Sequence, residues 1–245
     1  MENALLVGLS RQMTLRRELD VVANNISNVN TSGFRADRLL FREHLMPVAR
    51  ADAFEHPDRS VRFVIDPATH VDHRAGRFDL TSNDFDIAIQ GEGMFMVETP
   101  RGQRFTRNGA FQRNAEGEIV TAQGYKLLSD GGPIRLNPNE VRFAVGADGT
   151  VSTENGTRGR IRVVRFEDER VLRKDGEQTF MTNAQPQPVA TPRLVQGAVE
   201  RSNVEPVVEM TRMIELTRAF ASISSIIERT QDLRRTAIER LAATN

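Results

Sequence analysis

His70-Val71-Asp72-His73, with Asp66 close by, comes nearest in this chain to a metal-binding spacing. Two imidazoles and a carboxylate still need a third dependable ligand to hold zinc or a harder cation, and the spacing offers none. The segment is rich in proline and charge, so a solvated loop is the expected setting. The other histidines, His44 and His56, stand apart. Asn83-Asp84-Phe85-Asp86 supplies acids but lacks the glycine that a calcium loop needs at its sixth position. Asp84 and Asp86 are too ordinary a pair to name as glycosidase acids.

Gly91-Glu92-Gly93 would open a phosphate-binding turn only with a strand before it and a helix after it. Met94-Phe95-Met96-Val97 follows instead, a second β-like run, so a hairpin turn is expected. There is no Gly-x-Ser-x-Gly nucleophile elbow. There is also no cysteine, which removes disulfides, thiolate catalysis, iron–sulfur clusters and most structural zinc sites. The chain is therefore expected not to be an enzyme. No catalytic, cofactor-binding or metal-binding residue is nominated, and no cofactor.

The 245 residues carry 33 Lys+Arg and 33 Asp+Glu, a formal net charge of zero. That argues against a globally basic nucleic-acid binder. Apolar residues make up 39% and charged residues 27%, enough for a core but not a rich one. No apolar run approaches the roughly 18 residues of a membrane span, so no membrane insertion is expected. Arg11, Arg16, Arg17, Arg212, Arg218, Arg229, Arg234 and Arg235 mostly flank apolar stripes and read as solvated, salt-bridged faces. The first nine residues lack a basic lead-in and hold only a short apolar stretch, a poor secretory signal. Either the protein is cytoplasmic or it leaves without a cleaved signal.

The elements that must position any site are two terminal helices around a β-rich middle. From Leu5 to Val29 the series Leu5-Gln12-Leu19-Ile26 and Gly8-Leu15-Val22-Val29 form one apolar stripe, weak at Gly8 and Gln12. This helix should stop within Asn28–Gly33. At the other end Ser202-Asn203-Val204-Glu205 reads as a capping box. Pro206 then falls in the first turn, and the helix runs to about Leu241. Its stripe combines Met213-Phe220-Ile227-Arg234-Leu241 with Glu209-Leu216-Ile223-Thr230-Ala237, and Ser224 falls off it. Between the ends, short β-like runs such as Arg62–Ile65, Asp86–Ile89, Met94–Val97 and Ile161–Phe166 alternate with turns. Gln185-Pro186-Gln187-Pro188 reads as an extended connector.

The predicted fold class is α+β: long N- and C-terminal helices pairing as a coiled-coil-like stalk, with a central, mainly antiparallel β module. The predicted domains are a discontinuous helical assembly domain, 1–34 and 199–245, and a central β-rich domain, 35–198. The stripes nominate Leu5, Leu15, Leu19, Val22, Ile26, Met213, Leu216, Phe220, Ile223, Ile227 and Leu241 as an assembly interface. Periodicity alone is met equally by an ordinary helical hairpin packed on the β module.

Three stretches resemble the flagellar rod and hook family of axial proteins. Leu19 to Phe34, through Ala23-Asn24-Asn25 and Asn28-Val29-Asn30-Thr31-Ser32-Gly33-Phe34, is similar to the family's N-terminal signature. Phe85 to Val97, followed by Phe105-Thr106-Arg107-Asn108-Gly109-Ala110-Phe111, resembles its central elements. Ser202-Asn203-Val204-Glu205 through Glu209-Met210 and Met213-Ile214 to Arg218-Ala219-Phe220 resembles the opening of its C-terminal helix. Met94 stands where the family commonly has Phe, and Phe105 and Phe220 replace Tyr. Within the family, Arg62–Asp66 continuing to Asp72 and Gly76 looks most like the proximal rod branch. The distal rod and hook branches are the alternatives, and the short β region argues against a full hook protein.

The resemblance implies a structural axial subunit of the flagellar basal-body rod. Such a subunit polymerises helically with copies of itself and other rod subunits and transmits torque from motor to hook. The resemblance also implies passage through the flagellar type III export apparatus without a cleaved signal peptide. The destination is then the periplasmic part of the basal body, where contact with peptidoglycan would be incidental. The family's turn motifs fall on Asn24, Asn25, Asn28, Asn30, Gly33, Phe34, Ser202, Asn203 and Pro206, where the helices should enter the β module. A glycan-binding or wall-acting β module on a helical oligomerisation stalk is the reading from another class. No catalytic constellation supports it.

Overall fold

The computed structural model describes residues 2–46, 61–140, 142–176 and 178–242, without the side chains of 2–5, 40–46, 61–68, 234, 237–238 and 241–242. Helix α1 (Glu2–Ser27) gives way to a turn at Asn28. There Thr31 donates its N–H to the Asn28 carbonyl at 3.2 Å and its hydroxyl to Asn28 Oδ1 at 3.1 Å. Helix α2 (Pro206–Ala242) begins at its proline, where the missing N–H leaves no orphan donor. The expected capping box does not form. Ser202 lies outside the helix, and its hydroxyl accepts from Val204 N–H at 3.2 Å. Asn203 holds this stretch extended: its Oδ1 accepts from Ala36 N–H at 2.8 Å, and its amide donates to the carbonyls of Asp72 and Arg74.

Strands β1 (Asp37–Met46) and β2 (Val61–Val71) form an antiparallel hairpin in register from Asp37 opposite Val71 to Met46 opposite Val61. His70 stands in β2 opposite Arg38, and His44 in β1. The expected solvated loop is therefore wrong for His70. It is wrong for His73 too, whose mostly buried ring lies beside Phe180, with Nδ1 3.3 Å from Glu169 Oε2. Burial raises the Glu169 carboxyl above its ordinary range. His56 lies outside the described residues.

The remaining strands are short because the chain turns every few residues. They are β3 (Phe78–Leu80), β4 (Ile87–Ile89), β5 (Met94–Thr99), β6 (Gly102–Thr106), β7 (Phe111–Arg113), β8 (Ile119–Thr121), β9 (Lys126–Ser129) and their successors. The main sheet runs 173–174, 179–181, β6, β5, β9, β8, β7, with antiparallel pairing throughout. Residues 163–165 also pair with β5. Gln187–Pro188, expected as part of a connector, adds to 163–165 as a short strand. The core gathers Ile87, Ile89, Phe95, Phe111, Ile119 and Leu127 with apolar side chains from 134 to 194. Phe95 and Phe111 meet edge to face at 5.2 Å.

The chain divides into two compact units. One is 1–27, 37–71 and 205–245; the other is 28–36 and 72–204. Residues 37–71, which the sequence reading assigned to the central stretch, group with the helices because β1 and β2 both pack against α1.

Glu140 anchors the three-stranded sheet of 143–145, 150–153 and 156–160. Its carboxylate accepts from Arg158, from Asn137 N–H at 2.8 Å, from the Thr153 hydroxyl at 2.8 Å and from the Asn155 amide at 3.2 Å. The Arg158 bonds are the largest cause holding this carboxyl at about 2, down from 4.5. The unfolded chain takes up that proton near 4.5 and the folded chain does not, so the stabilisation is complete above 4.5 and disappears as pH falls towards 2. The melting temperatures of the parent and Glu140→Gln should therefore converge across that interval. A gap that stays constant with pH would overturn the assignment.

Candidate assembly interface

Leu15 and Val22 of α1, 0% and 2% exposed, are buried together with Leu216 of α2. Leu19, Ile26, Met213, Ala219, Phe220 and Ile223 pack around them. The two weak points of the stripe face α2. A Cβ on Gly8 would come within 3.3 Å of Ile227 Cγ1, and Gln12 Nε2 donates to Ser224 Oγ at 3.0 Å. Ser224 is thus part of the helix contact rather than off it. Glu18 is buried between Arg11 at 4.0 Å and Arg212 at 3.7 Å. The side chains of Leu5 and Leu241 lie outside those described.

A second apolar row on α1 was missed from sequence. Leu6, Leu9 and Met13, spaced i, i+3, i+7, are 54%, 51% and 67% exposed. Beside Met13 runs a groove of about 670 Å³ lined by Arg16, Arg17, Asp20, Val21 and Asn24. On α2, Val207, Met210 and Ile214 repeat the same i, i+3, i+7 pattern and are also exposed. The signal was present in the spacing, but the stripe that α2 covers dominated it.

The motif residues serve a different purpose. Asn25 clamps the start of β1: its amide donates to the Asp37 carbonyl, and its Oδ1 accepts from Asp37 N–H, both at 2.9 Å. Gly33, at φ +68°, donates its N–H to the Glu200 carbonyl at 2.7 Å, and a Cβ there would overlap the Asn108 backbone nitrogen. Phe34, Ala36 and Val204 are buried together with Val29 against them. Lys174 Nζ sits 4.1 Å over the Phe34 ring and donates to the Arg35 carbonyl at 2.7 Å. Asn24 and Asn30 are exposed, as is Pro206 at the start of α2.

At the centre of this cluster stands Glu200, its side chain 1% exposed. Oε1 meets Arg35 at 2.8 Å and Gly76 N–H at 2.9 Å, and Oε2 accepts from Arg107 Nε at 2.5 Å. Arg107 spends its other donors on the carbonyls of Ile89, Gly91 and Gly93, closing the Gly91–Gly93 turn. Burial pulls the Arg35 guanidinium below its usual range while the Glu200 charge pulls it back. None of the three was nominated from sequence, although Arg107 lies inside a quoted motif and Arg35 and Glu200 border the other two.

This is a framework rather than a reaction centre, since its charged groups are occupied by one another and by backbone. Among the described residues no group of three or more histidines or acids is placed to hold a metal ion, and no helix is long and apolar enough to cross a membrane. A family model described as flagella basal body rod protein matches residues 5–35. The flagellar hook protein FlgE/F/G D1 domain matches 88–153, and the flagellar basal body rod FlgEFG protein C-terminal region matches 195–240. Gly33, Arg35, Arg107 and Glu200 all fall inside these segments. The flagellar basal-body rod protein FlgF of Caulobacter vibrioides is 44% identical, with all of both chains covered. That of Mesorhizobium japonicum is 34% identical over 99% of each chain. The rod protein FlgG of Bacillus subtilis is 31% identical over 95% of this chain and 97% of its own. The chain belongs to the flagellar basal-body rod protein family. It is a structural subunit of the basal-body rod and not an enzyme.

Proposed function

We propose that this subunit polymerises helically, with copies of itself and with other rod subunits, and transmits torque from motor to hook as the proximal rod protein. In this reading α1 and α2 form a coiled-coil-like stalk, residues 1–34 and 199–245 make the assembly domain, and 35–198, apart from the hairpin 37–71, form the central β-rich part. The hairpin 37–71, which groups with the helices, extends the assembly domain. The subunit reaches the periplasmic section of the rod through the flagellar type III export apparatus, without a cleaved signal, and touches peptidoglycan only incidentally.

The observation that carries the proposal is that α1 is apolar on two faces, and α2 covers one of them. Leu6-Leu9-Met13 and Val207-Met210-Ile214 are different patches on one chain. Contacts between unlike patches are heterologous, and they generate an open helical polymer when the rotation between copies does not close a ring. Burying each such side chain between subunits contributes about 1.5–3 kcal/mol. Met13→Asp should leave the subunit folded and exported, since Met13 is 67% exposed, yet absent from isolated basal bodies in a non-motile cell. Normal rods containing Met13→Asp would refute this interface.

A further inference from the structure

The chain contains two Asn-Gly steps, Asn108-Gly109 and Asn155-Gly156. In such a step no side chain on the following residue hinders its backbone nitrogen from approaching the asparagine amide carbon. The two surroundings are opposite. Asn108 is buried, its amide donates to Gln178 Oε1 at 2.6 Å, and its Oδ1 accepts from Ala110 N–H at 3.0 Å. Gly109 is pressed against the Ile87 carbonyl so closely that a Cβ would overlap it. Asn155 is exposed in the two-residue turn joining strands 150–153 and 156–160. Gly156 there has φ +115° and nothing within 4 Å of the place its Cβ would take.

We propose that Asn155 is a site of spontaneous deamidation and isoaspartate formation in the folded protein, and that Asn108 is protected. The Gly156 backbone nitrogen bonds to Asn155 Cγ and gives up its proton, and the Cγ–Nδ2 bond breaks, releasing ammonia. The resulting succinimide takes up one solvent water. Hydrolysis at one imide carbonyl leaves aspartate, and hydrolysis at the other leaves isoaspartate, with the main chain rerouted through the side chain. No oxidant or reductant takes part.

The site has a structural consequence because Asn155 Nδ2 donates to Glu140 Oε1 at 3.2 Å. Deamidation exchanges that donor for a carboxylate facing the Glu140 carboxylate, and like charges in contact repel. Isoaspartate also adds a backbone carbon to a two-residue turn whose length sets the strand register. The reaction therefore loosens the sheet that Glu140 anchors.

The test is to age the purified full chain at mildly alkaline pH and map its tryptic peptides by mass spectrometry. The peptide Phe143–Arg158 should accumulate aspartate and isoaspartate forms, while Asn108–Arg113 stays unmodified until the chain is unfolded in urea. Asn155→Gln should abolish the first signal, and Asn155→Asp should lower the melting temperature relative to Asn155→Gln. Equal modification of both steps in the folded protein, or none at Asn155 when the unfolded chain reacts, would overturn the site. Unchanged melting of Asn155→Asp would overturn its structural consequence.

Discussion

Glu200→Ala should lower the free energy of unfolding by about 3–5 kcal/mol, the usual cost of removing one partner from a buried ion pair. The side chains of Arg35 and Arg107 are 6% and 3% exposed and share this one carboxylate. Without it, two like charges stay close together away from water, and burial already pulls the Arg35 guanidinium below its usual range. Glu200→Gln restores shape and an acceptor but not charge, so it should recover only part of the loss. The exposed pair Arg201–Asp79, 2.6 Å apart, is the control. Asp79→Ala should cost about 1 kcal/mol or less. Urea unfolding of the three variants decides the matter, and a Glu200→Ala loss no larger than that of Asp79→Ala would show that the network carries no weight. Added salt should leave the difference nearly intact, since buried pairs are weakly screened.

Gly33→Val is expected to be nearly as severe. A β-branched residue at φ +68° bears about 1–3 kcal/mol of backbone strain before any contact is considered. Its side chain must then displace the Arg107–Asn108 backbone, the same segment that delivers Arg107 to Glu200. Gly124→Val separates the two causes. Gly124 also has positive φ, +86°, but has nothing within 4 Å of a Cβ. The melting temperature should drop for both and clearly further for Gly33→Val, whose cells should also swim poorly. Equal drops would mean that strain alone explains Gly33 and that its seat on Asn108 is incidental.

The terminal helices were legible because a seven-residue spacing is a local property, and Leu15, Val22 and Leu216, nominated as an assembly interface, are buried against one another within the chain. Two details on the same helices were not. Periodicity does not say which of two apolar faces is covered, so Leu6-Leu9-Met13 went unread. The capping box at Ser202–Glu205 failed because Asn203 bonds Ala36, 167 residues away in sequence, and that pull outweighs a local cap. Glu200 and Arg107 stand 93 residues apart for the same reason. Neither was nominated because nothing near either in the sequence revealed a partner. Motif recognition located these segments without explaining them; the explanation lies in Gly33, Arg107 and Glu200 meeting in three dimensions.

The same bonds lead to an expected order of events in folding. Gly33 N–H waits for the Glu200 carbonyl, and Ala36 N–H for the Asn203 side chain. These groups therefore stay bonded to water until residues 200–203 are in place. Closing so long a loop costs entropy that no neighbouring contact repays in advance. The sheet around Phe95 and Phe111 has nearer partners and can form first. The fastening of the first motif is thus expected to be a late step, one that waits for residues 200–203.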